Sequence, residues 1–271
     1  MDVGRLLGAY PWSIAPSEVG VRVEAHLESG DAADVDARLR GLGFGGNPIS
    51  VSCVPVLPRA LVRAARTEDA RRRRNTSPGF TRPEVRLDAE GRWSLTPEDL
   101  ALAMGRHAVR QLGDGARVLD AGCGLGGNAI GFARAGLRVI AVEQDAGRVA
   151  LLRHNIAVYG VAARVTVVHG DAVEALEQVR ADLAFVDPPW GEAWDRVSVE
   201  ATSLPLVCEA RARRGRFRAT WAKLPPSGWF AEPEVASLEA WFGVRPGDQR
   251  RVKFVLAQLA PTVGCAAPQG G

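Results

Sequence analysis

Apolar and polar residues recur along the chain with two different periods, and these periods predict the positions of strands and helices. Apolar residues at every second position from Val19 to Leu27 predict a half-buried strand. A helix with one apolar face follows, then a second strand beginning at Ile49–Cys53 and a second helix from Arg59 to about Arg74. Residues 1–85 are therefore predicted to form a small N-terminal β-α-β-α unit, which we interpret as an accessory on the substrate side.

The pattern changes after a linker-like Asn-Thr-Ser-Pro-Gly segment at 75–79. Short apolar runs then alternate with amphipathic runs, which predicts an α/β domain with a mostly parallel sheet over 86–261. Its first helix is predicted to have Thr96 as N-cap and Pro97 as first helical residue. The tail 262–271 is predicted to be disordered. Strands are predicted at 116–119, 137–142, 165–170, 183–186, 216–222, 238–244 and 251–259, and the last two form a hairpin.

A glycine-rich turn follows the strand that ends near Asp120, with glycines at 122, 124, 126 and 127. A strand, a glycine turn and a helix together let backbone N–H groups approach a ligand at the start of the helix. The next strand ends in Glu143, and an acid in that place can accept both hydroxyls of a nucleotide ribose. The sequence therefore predicts a cofactor of the adenosine type. Gly122, Gly124, Glu143 and the adjacent Gln144 are its candidate ligands.

Carboxylates end four successive predicted strands: Asp120, Glu143, Asp171 and Asp187. Open α/β sheets bind ligands at this carboxyl edge. A glycine turn alone also suits a dinucleotide fold, but Asp120 would repel a pyrophosphate and would attract a ligand that carries a sulfonium and an ammonium. The four acids together therefore favour S-adenosylmethionine as cofactor.

Composition sets limits on the other classes of function. The chain has 271 residues, a formal net charge of +3, and only two lysines among 34 basic residues. That arginine bias is poor evidence for nucleic-acid binding by itself. The cysteines and histidines are scattered, so we expect no metal site and reduced thiols, as in a cytoplasmic protein. No apolar run is long enough to predict a membrane span.

The segment Asp187-Pro188-Pro189-Trp190 carries the most specific chemistry. Two prolines after a buried strand hold the backbone extended, so the Asp187 carboxylate and the Pro188 carbonyl can accept hydrogen bonds from one NH₂ group. Such acceptors favour a pyramidal nitrogen whose lone pair points at a sulfonium methyl. Trp190 can stack on the ring that bears the amine. These four residues are the predicted catalytic set.

The chain resembles the trimethylguanosine synthase family of RNA cap guanine-N2 methyltransferases. The resemblance implies a class I methyltransferase sheet, Rossmann-like, with seven strands and an antiparallel C-terminal hairpin. The chain departs from the family at two places. The cap enzymes have serine at the position of Asp187, and the Gly-Gly-Pro-x-Tyr motif that follows the tryptophan in the family is replaced after Trp190. The matching segments are 91–98, 120–128, 153–155, 159–161 and 188–191. The resemblance implies that Ser94, Thr96, Pro97, Asp120, Gly122, Asn128, Glu143 and Asp171 surround the cofactor and that Trp190 stacks on guanine; Trp194 is a further substrate candidate.

Three functions follow as hypotheses. The first is a methyltransferase that acts on an exocyclic amine of a purine-like ring, with guanine N2 of RNA implied by the resemblance. The second keeps this chemistry but acts on a free nucleoside-like or heteroaromatic metabolite. The third is a non-catalytic binding protein, although such a protein has no need of the paired acceptors at Asp187 and Pro188.

Overall fold

The computed structural model describes residues 7, 10–15, 17, 20–44, 47–74, 79–190, 194–230, 235–244 and 251–260. The predicted C-terminal tail, the turn between the last two strands and most of the predicted linker lie outside these residues. Within the described ranges, none of the helices has the length and apolar character needed to span a membrane.

A seven-stranded sheet forms the centre of the domain, in the order β12-β13-β10-β8-β5-β6-β7. Strand β13 is antiparallel to β10 and to β12, and the other pairs are parallel. The predicted class I methyltransferase sheet with its C-terminal hairpin is therefore confirmed. The strands are β5 (Arg117–Ala121), β6 (Arg138–Glu143), β7 (Val165–His169), β8 (Leu183–Val186), β10 (Ala219–Leu224), β12 (Val235–Phe242) and β13 (Val252–Leu259).

Alternation along the central strands separates two apolar layers, one on each face of the sheet. In β8, for example, Leu183 and Phe185 belong to one buried cluster, whereas Ala184 and Val186 belong to the other. Burial on both faces explains why these strands have continuous apolar sequences. The helices of the domain are α3 (Gly91–Ser94), α4 (Glu98–Leu112), α5 (Gly127–Arg134), α6 (Ala146–Val158), α7 (Ala172–Gln178) and α8 (Pro205–Ala212), and the short strands β9 (Val199–Glu200) and β11 (Gly228–Trp229) pair separately.

Helices α4 and α5 cross very closely because glycine occupies the crossing. A Cβ on Gly131 would lie 2.5 Å from the carbonyl carbon of Ala101, so a larger residue would push the helices apart. The start of α4 corrects one prediction. Thr96 is not an N-cap: the helix begins at Glu98 and Pro97 occupies the cap position, without a side-chain cap hydrogen bond. The extended Pro97 (ψ 132°) delays the helix by one residue.

The N-terminal unit is less regular than its apolar pattern predicts. The predicted strand Val19–Leu27 is reduced to β2 (Arg22–Glu24), and Ile49–Cys53 is not a strand. Ile49 and Val51 are half-buried against an apolar cluster, so the alternation here reflects packing of an irregular segment rather than strand pairing. The other elements of the unit are β1 (Ser13–Ala15), α1 (Ser29–Leu39), β3 (Gly43–Phe44), β4 (Asn47–Pro48) and α2 (Arg59–Arg74).

This unit packs against the end of the hairpin that lies at the carboxyl edge of the sheet. Leu224, the last residue of β10, pairs with Val255, so residues 252–254 of the antiparallel β13 and the preceding Arg251 continue past that edge. There Phe242 shares an apolar cluster with residues of α1, and Arg251 Nη2 donates to the Asp69 carboxylate at 2.6 Å. The unit is thus anchored on the edge where ligands bind in such sheets. The domain boundary near residue 85 stays a prediction.

Candidate active site

Three of the four predicted acids meet at the carboxyl edge of adjacent strands. Asp120 lies in β5, and its two neighbours in the sheet end in Glu143 (β6) and lead into Asp187 (β8). Asp171 follows β7, one strand farther out, and its Oδ1 accepts the N–H groups of Val173 and Glu174 at 2.8 and 3.0 Å. Asp171 therefore caps helix α7, and its contact with a cofactor stays a prediction.

The predicted glycine turn has the backbone geometry that its sequence requires. Gly122, Gly124 and Gly126 have φ values of +80°, +56° and +91°, which non-glycine residues rarely adopt. A Cβ on Gly126 would also collide with the Leu152 side chain. Helix α5 starts directly after the turn, so the turn presents its backbone to the carboxyl edge.

Glu143 is buried and held from both sides by the backbone. Its Oε2 accepts the N–H of Gly124 at 3.0 Å, and its Oε1 accepts the N–H of Asp145 at 2.9 Å. Each oxygen keeps a second lone pair, so the carboxylate can still accept two hydroxyls of a ribose. Gln144 is exposed, and its backbone carbonyl bonds to the ring of His169. The turn and the acid therefore form one rigid unit.

Asp120 is fully buried, and neither of its carboxyl oxygens has a hydrogen-bond partner in the described part of the chain. Burial, followed by repulsion from Asp187, raises the pKa of Asp120 to about 8, while the charge of Lys223 lowers it. The backbone N–H of Ala129 also lowers this pKa, although it does not reach hydrogen-bond geometry. A buried carboxyl without partners is costly unless a ligand supplies a donor or a positive charge.

Two further orphan polar atoms lie beside Asp120 and the glycine turn. Thr96 Oγ1 and Asn128 Oδ1 are buried without partners among the described residues. Thr96 borders the turn, because a Cβ on Gly127 would lie 3.8 Å from its backbone nitrogen. Pro97, the cap residue of α4, follows it, whereas Ser94 is exposed at the end of α3. Buried oxygens without partners beside the turn suit a ligand that brings hydrogen-bond donors or a positive charge.

Asp187 uses one carboxylate oxygen for the protein and leaves the other for a ligand. Its Oδ2 accepts from Lys223 Nζ at 2.7 Å and from Asn128 Nδ2 at 2.9 Å. No hydrogen bond to Oδ1 is found within the described ranges. The following Pro188 is buried and Pro189 is exposed, so the chain leaves the sheet at this point. Asp187 thus lies at the edge beside Asp120, and its role as acceptor for a substrate amine stays a prediction.

Lys223 is the site residue that the sequence analysis missed. Its side chain on β10 is only 5% exposed, and its Nζ lies 4.8 Å from the ring centroid of Trp190 and 5.3 Å from that of Phe254. A signal was available: Lys223 is one of two lysines in an arginine-rich chain, and it interrupts the apolar strand Ala219–Leu224. A lysine is buried in this way when it is paired with an acid.

Trp190 and Trp194 form an aromatic corner next to these charges. Their ring centroids are 6.2 Å apart with an interplanar angle of 75°, and the guanidinium carbon of Arg196 lies 4.2 Å from the Trp194 centroid. Trp190 Nε1 is buried without a partner in the part of the chain that the structure covers. The two rings therefore offer an edge and a face to a planar ligand. No cluster of potential metal ligands occurs among the residues described.

Comparison with known proteins shows which family this part of the chain is similar to. Residues 115–194 match the family described as RNA cap guanine-N2 methyltransferase. The resemblance predicted from the sequence is therefore confirmed. The matched segment contains the glycine turn, Glu143, Asp187 and both tryptophans of the corner.

Two curated relatives are similar to the same part of the chain. Trimethylguanosine synthase of Schizosaccharomyces pombe is 34% identical over 111 residues, which cover 39% of this chain and 46% of the relative. Trimethylguanosine synthase of Saccharomyces cerevisiae is 30% identical over 104 residues, which cover 36% and 33%. The chain thus spans less than half the length of these relatives, and their activity, substrates and partners come to it only as proposals.

Among solved structures, a SAM-dependent methyltransferase from Agrobacterium tumefaciens is 14% identical with a TM-score of 0.48. This match covers 68% of this chain and 69% of that protein. The activity and the cofactor of this chain are therefore taken up below as proposals.

Proposed function

We propose that this chain is an S-adenosylmethionine-dependent methyltransferase that transfers a methyl group to guanine N2 in RNA. The observation that carries the proposal is the Asp187 carboxylate, anchored through Oδ2 with Oδ1 available at the carboxyl edge, beside the partnerless Asp120. One acid is then free to accept from an amine, and the other to face the cationic cofactor. A protein that only bound the cofactor would have no need of the acceptor at Asp187.

The residues at the glycine turn fit S-adenosylmethionine. Glu143 would hold the ribose hydroxyls, and Asp120 would face the positive charge of the sulfonium and of the ammonium. Thr96 and Asn128 would provide polar atoms to its methionine portion, which matches their orphan oxygens. The cofactor supplies a methyl group on a positively charged sulfur. Burial of the Asp120 carboxyl without hydrogen-bond partners is costly unless such a cation is bound.

The residues at Asp187 then position the nucleophile. Asp187 Oδ1 and the Pro188 carbonyl would accept the two protons of the exocyclic amine, so that the nitrogen lone pair points at the methyl carbon. Transfer of the methyl group to this nitrogen would leave the cofactor sulfur as a neutral thioether, and Asp187 Oδ1, which already accepts from the amine, would pass the released proton to solvent. Trp190 would stack on the guanine ring and fix the angle of attack.

A basic groove on the N-terminal unit favours RNA over a free metabolite. Arg59, Arg63 and Arg66 lie on helix α2 along a groove of about 780 Å³, together with Leu57 and Val62. Three arginines on one helical face suit a row of phosphates. Arg66 also lies 3.8 Å from Asp36, which orients it. A nucleoside-like metabolite with an exocyclic amine remains the second candidate, because the Asp187 site itself needs only the ring and its amine.

The test is transfer of a labelled methyl group from S-adenosylmethionine into two substrate pools, total RNA and a small-molecule extract. Nucleoside analysis of the product RNA should show label in N2-methylguanosine, and Asp187→Asn protein should incorporate it at no more than about 1% of the wild-type rate. Label confined to the small-molecule pool would replace the RNA substrate with the metabolite. Label in neither pool, with S-adenosylmethionine bound, would contradict the methyltransferase proposal.

A further inference from the structure

The lysine beside the Asp187 acceptor is the strongest feature that the proposed reaction has not used. Lys223 Nζ lies 2.7 Å from Asp187 Oδ2, and the side chains are 5% and 15% exposed. The pair is therefore largely shielded from water, and its geometry is fixed more firmly than that of a surface ion pair. The chain has only two lysines among its 34 basic residues, and one of them occupies this position.

Both anchors of Asp187 converge on the same oxygen. Asn128 Nδ2 donates to Oδ2 from helix α5, and Lys223 donates to it from strand β10, on the other side of β8. With Oδ2 held from two elements, the carboxylate cannot rotate, and Oδ1 is the oxygen presented to a ligand. The ammonium also contacts the face of Trp190 at 4.8 Å, which links the acceptor to the stacking residue.

We propose that Lys223 is a positioning residue for methyl transfer, which together with Asn128 fixes Asp187 Oδ2 so that Oδ1 accepts from the substrate amine. This inference rests on the proposed function, because it assigns Lys223 a role in that same reaction. Lys223 does not touch the reacting atoms; it acts through Asp187 and Trp190.

The charges around the pair explain why a cation is needed there. Asp187 faces Asp120 on β5, and Glu143 on β6 adds to the negative field at Asp120. Asn128 on α5 is neutral, and the β13 side contributes the apolar ring of Phe254. Lys223 is thus the positive group of the cluster within the described structure. The charge of Lys223 lowers the pKa of Asp120, so without it that carboxyl would keep its proton to higher pH, and Asp187 Oδ2 would lose the cation that anchors it.

The experiment compares wild type, Lys223→Met, Lys223→Gln and Lys223→Arg with S-adenosylmethionine and a guanosine-containing RNA oligonucleotide. Lys223→Met should lower kcat about 100-fold at pH 7 while the KM for S-adenosylmethionine changes less than about threefold. The acidic limb of its rate profile should move to higher pH, because Lys223 no longer lowers the pKa of Asp120. Lys223→Gln keeps a donor without charge and should show the same pH shift, whereas Lys223→Arg should keep the wild-type profile.

Two controls separate positioning from a structural role. Lys253→Met removes the other lysine of the chain and should leave the rate and the profile unchanged. In an Asp187→Asn background, Lys223→Met should lower kcat by less than about a further threefold, because a residue that acts through Asp187 loses its effect once that carboxylate is gone. Thermal unfolding and cofactor binding check that each variant is folded, and Lys223→Gln replaces Lys223→Met if the latter is not.

Three outcomes would overturn the inference. The first is a pH profile that does not shift in Lys223→Met and Lys223→Gln. The second is a double variant whose loss in kcat equals the product of the losses in Lys223→Met and Asp187→Asn. The third is a wild-type kcat in Lys223→Met. Each would leave the proposed function standing, provided that wild type methylates the oligonucleotide. A wild type that binds S-adenosylmethionine but methylates no guanine would instead remove the proposed function, and the role of Lys223 with it.

Discussion

Asp120→Asn should stabilise the free protein at neutral pH while weakening the binding of S-adenosylmethionine. The substitution keeps the size and polarity of the side chain and removes only its ability to ionise. Burial raises the pKa of Asp120 from 3.8 to about 8, so the folded state retains a proton that the unfolded state has lost. The stability that this proton provides is complete below pH 4 and is lost as the pH rises towards 8.

The size of the effect follows from that shift. One pKa unit corresponds to about 1.4 kcal/mol, so the stability of wild type relative to Asp120→Asn should fall by about this amount per pH unit between pH 5 and 8. Summed from pH 4 to pH 8, the loss in the free energy of unfolding of wild type relative to Asp120→Asn has an upper limit of about 6 kcal/mol, and relaxation of the buried cluster will reduce it. Urea unfolding without cofactor at four pH values measures the slope. The exposed Asp114→Asn is the control and should show none.

Cofactor binding should respond in the opposite direction. A charged contact contributes about 1.5–3 kcal/mol, so Asp120→Asn should bind S-adenosylmethionine roughly 10- to 150-fold more weakly. Wild type should release close to one proton per cofactor bound below pH 7, which calorimetry in buffers of different ionisation enthalpy measures. A stability difference that is flat from pH 5 to 8, or binding without proton release, would refute the assignment of Asp120 to the cationic cofactor.

Three other predictions address the remaining parts of the site. Glu143→Ala should weaken S-adenosylmethionine by about 1.5–3 kcal/mol in calorimetry, and unchanged affinity would remove Glu143 from the ribose. Trp190→Ala should change both KM and kcat for the nucleobase substrate, because the ring both binds and orients it; an effect on KM alone would contradict its orienting role. A plot of log affinity for RNA against log salt concentration should have a slope of about −0.7 per phosphate contacted, and the double variant Arg59→Gln with Arg63→Gln should reduce the magnitude of that slope by about 1.4. RNA methylation that is independent of salt would argue against these contacts.

The sheet and the position of the site were predictable because their signals are local. Apolar runs marked the central strands to within a few residues, and a strand of a parallel sheet must place its last residue at the carboxyl edge. Asp120, Glu143 and Asp187 could therefore be assigned to one site before any contact was known. The left-handed glycines of the turn followed in the same way, since no other residue adopts those angles readily.

What the sequence did not predict depends on partners that are distant in the chain. Lys223 becomes part of the site because β10 lies next to β8, where its ammonium meets Asp187, 36 residues away. The Ile49–Cys53 segment has the alternation of a strand, but it packs against a cluster without a strand to pair with. A local pattern records which side chains are buried, whereas pairing depends on which segment lies alongside.

The placement of the N-terminal unit is the strongest reason to expect that it takes part in substrate selection. Besides its anchor on the hairpin, it reaches the segment after the Trp190–Trp194 corner: a Cβ on Gly43 would collide with the Val197 carbonyl. Val197 follows Arg196, which lies over the Trp194 ring. The unit therefore contacts the segment that carries one wall of the proposed base site, while its α2 arginines line a groove of their own.

The match to RNA cap guanine-N2 methyltransferases ends at Trp194, just before this contact. The chemistry at Asp187 requires only an amine on a flat ring. The surfaces around that ring therefore select the molecule that bears the amine, and a substrate that differs from those of the family would be selected by this contact region.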